Sequence, residues 1–311
     1  MNKTARTSVV SARASAVTAV TALTALLSLS ASALAQVTPA SAPPADSALG
    51  AIKPVPAVAV PSAKEIVSKY VAALGGEDAL RKITSRVDSG SIEMTGVKAD
   101  FKLIAAAPDR RIVVVSSPTL GGDQIQGYDG SVAWDLTPTS KRLLSGSELS
   151  YRALTCDFYR PLSLGSKFDL RVLGVEERDG KPCYKLTATP ISEPVKGGVE
   201  PGQNSEKPRE ATLFFDIESG LLVGQIVLRP TASGDLGVDT SYAEFKKFGD
   251  ILVPTKTTSK VANSVQSVTV TSVEFNKVAS DAFEIPAAIK ELMPKPAGAP
   301  APVPTPVPTK K

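Results

Sequence analysis

The strongest constraint in this chain is a repeated grammar of short alternating runs joined by glycine-bearing turns. It is clearest in Ile125-Gln126-Gly127-Tyr128-Asp129-Gly130-Ser131-Val132-Ala133-Trp134-Asp135-Leu136. Asp-Gly between alternating apolar residues signals a hairpin, because glycine supplies the positive φ of the turn without steric cost. Side chains along a strand alternate between faces, so Val132, Trp134 and Leu136 share one face while Ser131, Ala133 and Asp135 share the other. The same pattern before and after this hairpin predicts a long antiparallel meander.

Strands are expected over Ser85–Met94, Val97–Ala106, Arg110–Ser117, Gly122–Tyr128 and Ser131–Thr137. Further strands follow at Phe168–Glu177, Cys183–Pro190, Thr212–Asp216, Leu221–Leu228, Thr240–Lys246, Leu252–Thr258 and Val265–Phe275. Arg110–Ser117, with Ile112, Val113, Val114 and Val115, is too apolar for a sheet wetted on one face and should be covered on both. Ser62 and Glu65 form a capping box ahead of Ile66, Val67, Tyr70, Val71 and Leu74 at helical spacing, and Gly75-Gly76 ends that helix. Leu149, Tyr151, Leu154, Phe158 and Tyr159 suggest a second helix, stopped by Pro161. The fold class is mainly β (α+β): one strongly curved antiparallel sheet of about eleven strands, an unclosed half-barrel covered by two or three helices.

Both ends of the chain lie outside this pattern. Lys3, Arg6 and Arg13 precede the Ala/Val/Leu-rich stretch Ala14–Ala35, which closes on Ala33-Leu34-Ala35, a small-x-small cleavage signature. Residues 1–35 therefore read as a signal peptide cleaved near Ala35. An uncleaved anchor is the competing reading, weakened by the many serines and threonines. Residues 36–61 form an Ala/Pro-rich spacer, 62–293 the folded domain, and 294–311 a Pro-rich tail. The expected location is the periplasm, in soluble form and not membrane-spanning after cleavage. The net charge of +4 includes six cations in leader and tail, so Ser62–Met293 carries −2. That is no electrostatic footprint for nucleic acid.

The chemistry-bearing residues are few. There are two cysteines, Cys156 and Cys183, and no histidine. An oxidising compartment permits a disulfide between the two, while two buried thiols are the alternative. Without histidine there is no Ser-His-Asp or Cys-His arrangement and no zinc set. Glu176-Glu177 and Glu77-Asp78 read as solvated surface charge, and the spacing of Glu193, Glu200, Glu206 and Glu210 matches no cation-binding loop. No enzyme activity and no cofactor is expected. The polar stretch Ile191–Pro208 reads as a long loop inside the domain.

Three segments carry a family resemblance: Gly75-Gly76-Glu77-Asp78-Ala79-Leu80-Arg81-Lys82-Ile83, Gly127–Asp135, and Leu213-Phe214-Phe215-Asp216-Ile217-Glu218-Ser219-Gly220-Leu221-Leu222. They resemble exported bacterial proteins similar in fold to the periplasmic lipoprotein carriers and receptors of the LolA/LolB type. The resemblance covers roughly Ser62 to Pro286 and implies an unclosed barrel, lidded by helices, whose apolar cavity holds an acyl chain. No residue role transfers with it.

Two functions are consistent with this sequence. The first is a non-enzymatic binder of a lipid, lipoprotein acyl chain or other apolar ligand, serving lipid or outer-membrane lipoprotein traffic. Phe101, Leu103, Val132, Trp134, Leu136, Leu213 and Phe215 are its candidate lining, with Trp134 expected on the concave side. The second is an envelope interaction or sensor module with a solid core, whose sheet edges and polar loop contact protein partners.

Overall fold

The computed structural model describes residues 60–191 and 209–294. The leader, the spacer, most of the Ile191–Pro208 loop and nearly all of the tail lie outside these residues.

The first helix, α1 (Ala63–Leu74), starts as its capping box dictates. The Ser62 amide donates to Glu65 Oε2 at 2.7 Å and the Glu65 amide donates to Ser62 Oγ at 3.3 Å. The short helix α2 (Glu77–Arg81) leads into strands β1 (Ser85–Met94), β2 (Val97–Ala106), β3 (Arg110–Ser117), β4 (Gly122–Tyr128), β5 (Ala133–Leu136) and β6 (Lys141–Leu143). Two helices follow, α3 (Gly146–Thr155) and α4 (Arg160–Lys167). Strands β7 (Phe168–Arg178), β8 (Lys181–Pro190), β9 (Ala211–Asp216), β10 (Leu222–Thr231), β11 (Gly234–Phe248), β12 (Ile251–Val261) and β13 (Ser264–Phe275) complete the sheet, and α5 (Ala287–Lys290) ends the described chain.

All thirteen strands belong to one sheet in the order β6-β5-β4-β3-β2-β1-β13-β12-β11-β10-β9-β8-β7. Each half is a meander of sequence neighbours, and the antiparallel β1–β13 ladder is the single long-range join. The two free edges, β6 and β7, therefore come from the middle of the chain. β6 has only three residues and carries Lys141 and Arg142, while β7 is bulged between Val172 and Gly174. Both devices discourage edge-to-edge pairing with another molecule. The sheet is unclosed and curled: α3 packs against β5 near one edge and also against β10 in the other half.

Two corrections to the sequence reading concern element count. The sheet has thirteen strands rather than about eleven, and five α-helices lie among the described residues rather than two or three. β6 is too short to show alternation. Pro161 does not stop a helix; it sits in the first turn of α4, where its missing N–H is no loss.

Apolar cores form on both faces of the sheet. On the helix-covered face, Ile66, Leu164, Phe168, Leu186, Leu213 and Phe215 pack under α1 and α4, with Tyr70 edge-on to Phe215 at a centroid distance of 5.4 Å. On the opposite face, Trp134, Ile112 and Ala106 are sealed by Phe283 and Ile289 from the C-terminal segment, with Val132, Leu136 and Ile285 around them. β3 is thus covered on both sides, as its apolar run predicts.

Gly127 and Gly130 show why the central hairpin needs glycine. Gly130 adopts φ 106° in the turn, where Asp129 Oδ1 accepts from the Ser131 and Val132 amides at 2.8 and 2.7 Å. Gly127 lies opposite Trp134 in the ladder, and a Cβ there would sit 2.1 Å from the indole. We expect Gly127→Ala to cost about 1–3 kcal/mol through overpacking, read as a lowered denaturant midpoint by far-UV circular dichroism. Gly165→Ala in α4, where a Cβ meets open space, should be neutral or slightly stabilising. Equal midpoints for the two variants would refute the close approach of Trp134 to β4.

Candidate functional site

A cavity of about 580 Å³ lies between the helix-covered face of the sheet and helices α1 to α4. Every strand except β7 and β8 contributes a lining residue, so both half-sheets wall it. Its apolar surface includes Leu74, Leu103, Leu213, Val238, Phe245 and Phe275. Its volume falls within the several-hundred Å³ range of small-molecule sites.

The alternation of the strands decides which candidate residues reach it. Leu103 and Ala105 of β2, Arg111 of β3, Gln126 of β4 and Asp135 of β5 line the cavity, whereas their neighbours Ile104, Ala106, Ile112, Ile125 and Trp134 pack in the core on the opposite face. Of the expected lining, Leu103 and Leu213 are in place. Phe215 lies beneath α1, and Phe101 packs with Ile92, Ala99, Val115 and Leu120 in a satellite core. Val132, Trp134 and Leu136 are a correction: they face away from the cavity because Phe283 and Ile289 cover that side of the hairpin.

The cysteines are also separate. Both are free and buried. Cys156 packs with Tyr128, Ala133 and Leu144 at the end of α3, while Cys183 lies opposite Asp216 in the β8–β9 ladder. Burial pushes both thiols up from their ordinary value, so they remain protonated, small fillers of the core.

What sequence reasoning missed is the charge inside the cavity. Six arginines (Arg86, Arg111, Arg142, Arg152, Arg160 and Arg229) and four carboxylates (Asp88, Asp135, Glu148 and Asp157) line it. Asp135 is the hub. Its Oδ1 accepts from Arg152 at 2.9 Å and its Oδ2 from Arg142 at 3.1 Å, while Arg142 also bridges to Glu148 at 3.0 Å. Arg86 holds Asp88 through both guanidinium arms, and Lys167 pairs with Asp157 at 2.9 Å. All four carboxylates are thereby engaged.

Tyr70, Tyr151 and Tyr242 add hydroxyls to the wall. Burial pushes Tyr242 up to about 12 and raises Tyr70 as well, so both remain neutral hydrogen-bonding groups at physiological pH. Arg111 spends two donors on Thr155, reaching its carbonyl oxygen at 2.9 Å and its hydroxyl at 3.3 Å. The only early signal for this lining was positional: Arg86, Asp88 and Arg111 occupy the same strand phase as Leu103 and Ala105.

No protein-family model matches the chain, and no curated protein matches it. Among solved structures, it is similar to a LolA superfamily protein from Nitrosomonas europaea, 14% identical over 73% of this chain and 99% of that one, with a TM-score of 0.49. It is also similar to a DUF1329 family protein from Desulfovibrio piger, 16% identical over 73% of this chain and 98% of that one, with a TM-score of 0.49.

Removing the hub should cost more than removing a spoke. Asp135→Ala leaves the buried Arg152 without its counter-charge and should destabilise by about 3–5 kcal/mol. Arg142→Ala, at a more exposed position, should cost distinctly less. Chemical denaturation of the two variants makes the comparison, and a smaller loss for Asp135→Ala would contradict the hub assignment.

Proposed function

We propose that this protein is a non-enzymatic carrier or receptor that holds an acyl chain or another long apolar ligand in the cavity between sheet and helices. The observation that carries the reading is the cavity itself: about 580 Å³, walled by strands from both half-sheets and by four helices. A solid-core interaction module has no need of such a space, and a native core is ordinarily packed to crystal density.

The reading is one of binding rather than catalysis. The chain contains no histidine, and the carboxylates of the cavity are committed to arginine or lysine partners. The leader supports a periplasmic site of action, where traffic of lipids or lipoproteins requires a protein that shields acyl chains from water. No helix among the described residues is long and apolar enough to cross a membrane. Envelope proteins that deliver or receive the ligand are the natural partners.

The test is occupancy. Protein purified from its native envelope should carry acyl-containing molecules, detected by native mass spectrometry and by analysis of organic extracts. Ala105→Phe, which projects a ring from β2 into the cavity, should displace them while leaving the far-UV circular dichroism spectrum unchanged. Ligand-free protein that also fails to bind the neutral apolar probe N-phenyl-1-naphthylamine would overturn the proposal.

A further inference from the structure

The charge in the cavity is unbalanced in a patterned way. Six guanidiniums face four carboxylates, an excess of two positive charges inside a domain whose own balance is −2. Arg86, Arg142 and Arg152 account for three of the carboxylates, and Lys167 holds the fourth. The other three arginines, Arg111, Arg160 and Arg229, form no salt bridge with a carboxylate among the described residues, Asp135 and Glu148 acting on Arg229 only at longer range. They come from three different elements, β3, α4 and β10, and converge on one cavity.

Their remaining contacts set them apart further. Arg111 donates only to Thr155, and the Arg160 guanidinium lies 5.6 Å from the centre of the Phe168 ring. Arg229 makes no hydrogen bond or ion pair with any described side chain. Burial pulls Arg111 and Arg229 below their ordinary value and the charge of Arg152 adds to the pull on each, against an opposing effect of Cys156 on Arg111 and of Tyr151, Asp135 and Glu148 on Arg229. Holding Arg111 and Arg229 charged in a half-dry space costs stability, because a charge removed from water needs a partner. A folded chain keeps that arrangement where the partner arrives from outside.

We infer that the ligand is an amphiphile with an anionic head, a carboxylate or a phosphate, gripped by Arg160 and Arg229 with Arg111 beside them while its chain lies along the apolar wall. The planar fork of arginine matches the two oxygens of either group, and the hydroxyls of Tyr151 and Tyr242 offer further donors. This inference rests on the cavity being the binding site proposed above. It adds what selects the ligand: apolar length provides affinity, and the head group provides choice.

Competition against N-phenyl-1-naphthylamine tests it, with three competitors of one chain length: palmitate, palmitoyl lysophosphatidate and neutral monopalmitoylglycerol. Wild-type protein should bind at least one anionic competitor about tenfold or more tightly than the neutral one. Arg160→Gln/Arg229→Gln, which removes no hydrogen bond from the fold, should erase that preference and leave monopalmitoylglycerol binding within about twofold. Equal affinities for all three in wild-type protein would overturn the head-group inference and leave the carrier reading standing. Failure of every long-chain compound, probe included, would instead overturn the carrier reading. Inorganic phosphate competing as well as lysophosphatidate would overturn the amphiphile and mark the arginines as a small-anion site.

Discussion

The structure depends on one ladder, the antiparallel pairing of β1 with β13. Six strands before it and seven in the other half could each form from local hairpins, yet neither half encloses anything alone. The join brings together opposite ends of the domain and must overcome the entropy of closing that loop. It is fastened by more than its own hydrogen bonds. Asn276, at φ 58°, accepts from the Thr84 amide at 2.7 Å and donates to the Lys82 carbonyl at 3.1 Å, while Thr271 donates to the Ser89 carbonyl at 3.1 Å. Asparagine tolerates the left-handed conformation that this clamp requires.

From that ladder follow both the cavity and its sealing. β1 places Arg86 and Asp88 on the cavity side, and β13 contributes Phe275 before the chain turns over the outer face. The segment that follows carries Val278, Phe283, Ile285 and Ile289 across β2 to β5. A single continuous stretch thus ends the inner wall and begins the outer seal. The curl of the sheet is stabilised from both sides: helices oppose it on one face and this strap on the other.

Much of the fold was legible from residue pattern. The capping box of α1, the bounds of β1 to β4 and the face sharing of Val132, Trp134 and Leu136 follow from local rules, which is why they could be read. The direction of that face could not. Alternation tells which residues go together; which side is inner depends on what covers the hairpin, and the cover comes from Phe283 and Ile289, some 150 residues downstream in a segment with no strong periodicity. The lining arginines were hidden for a related reason. Arg111 follows Arg110 and precedes an apolar run, so it reads as a solvated strand end, although its phase with Ala105 puts it on the cavity face. β11 was half visible: its first residues, Gly234-Asp235-Leu236-Gly237, resemble a turn and are held in the ladder by pairing with β10.

The position of Trp134 has an optical consequence. It is the sole indole in the chain, fully buried, and it stands on the far side of the sheet from the cavity. Its emission therefore reports whether the C-terminal strap is seated on the outer face. None of the apolar residues packed around it lines the cavity, so its emission is a probe of the outer core rather than of occupancy.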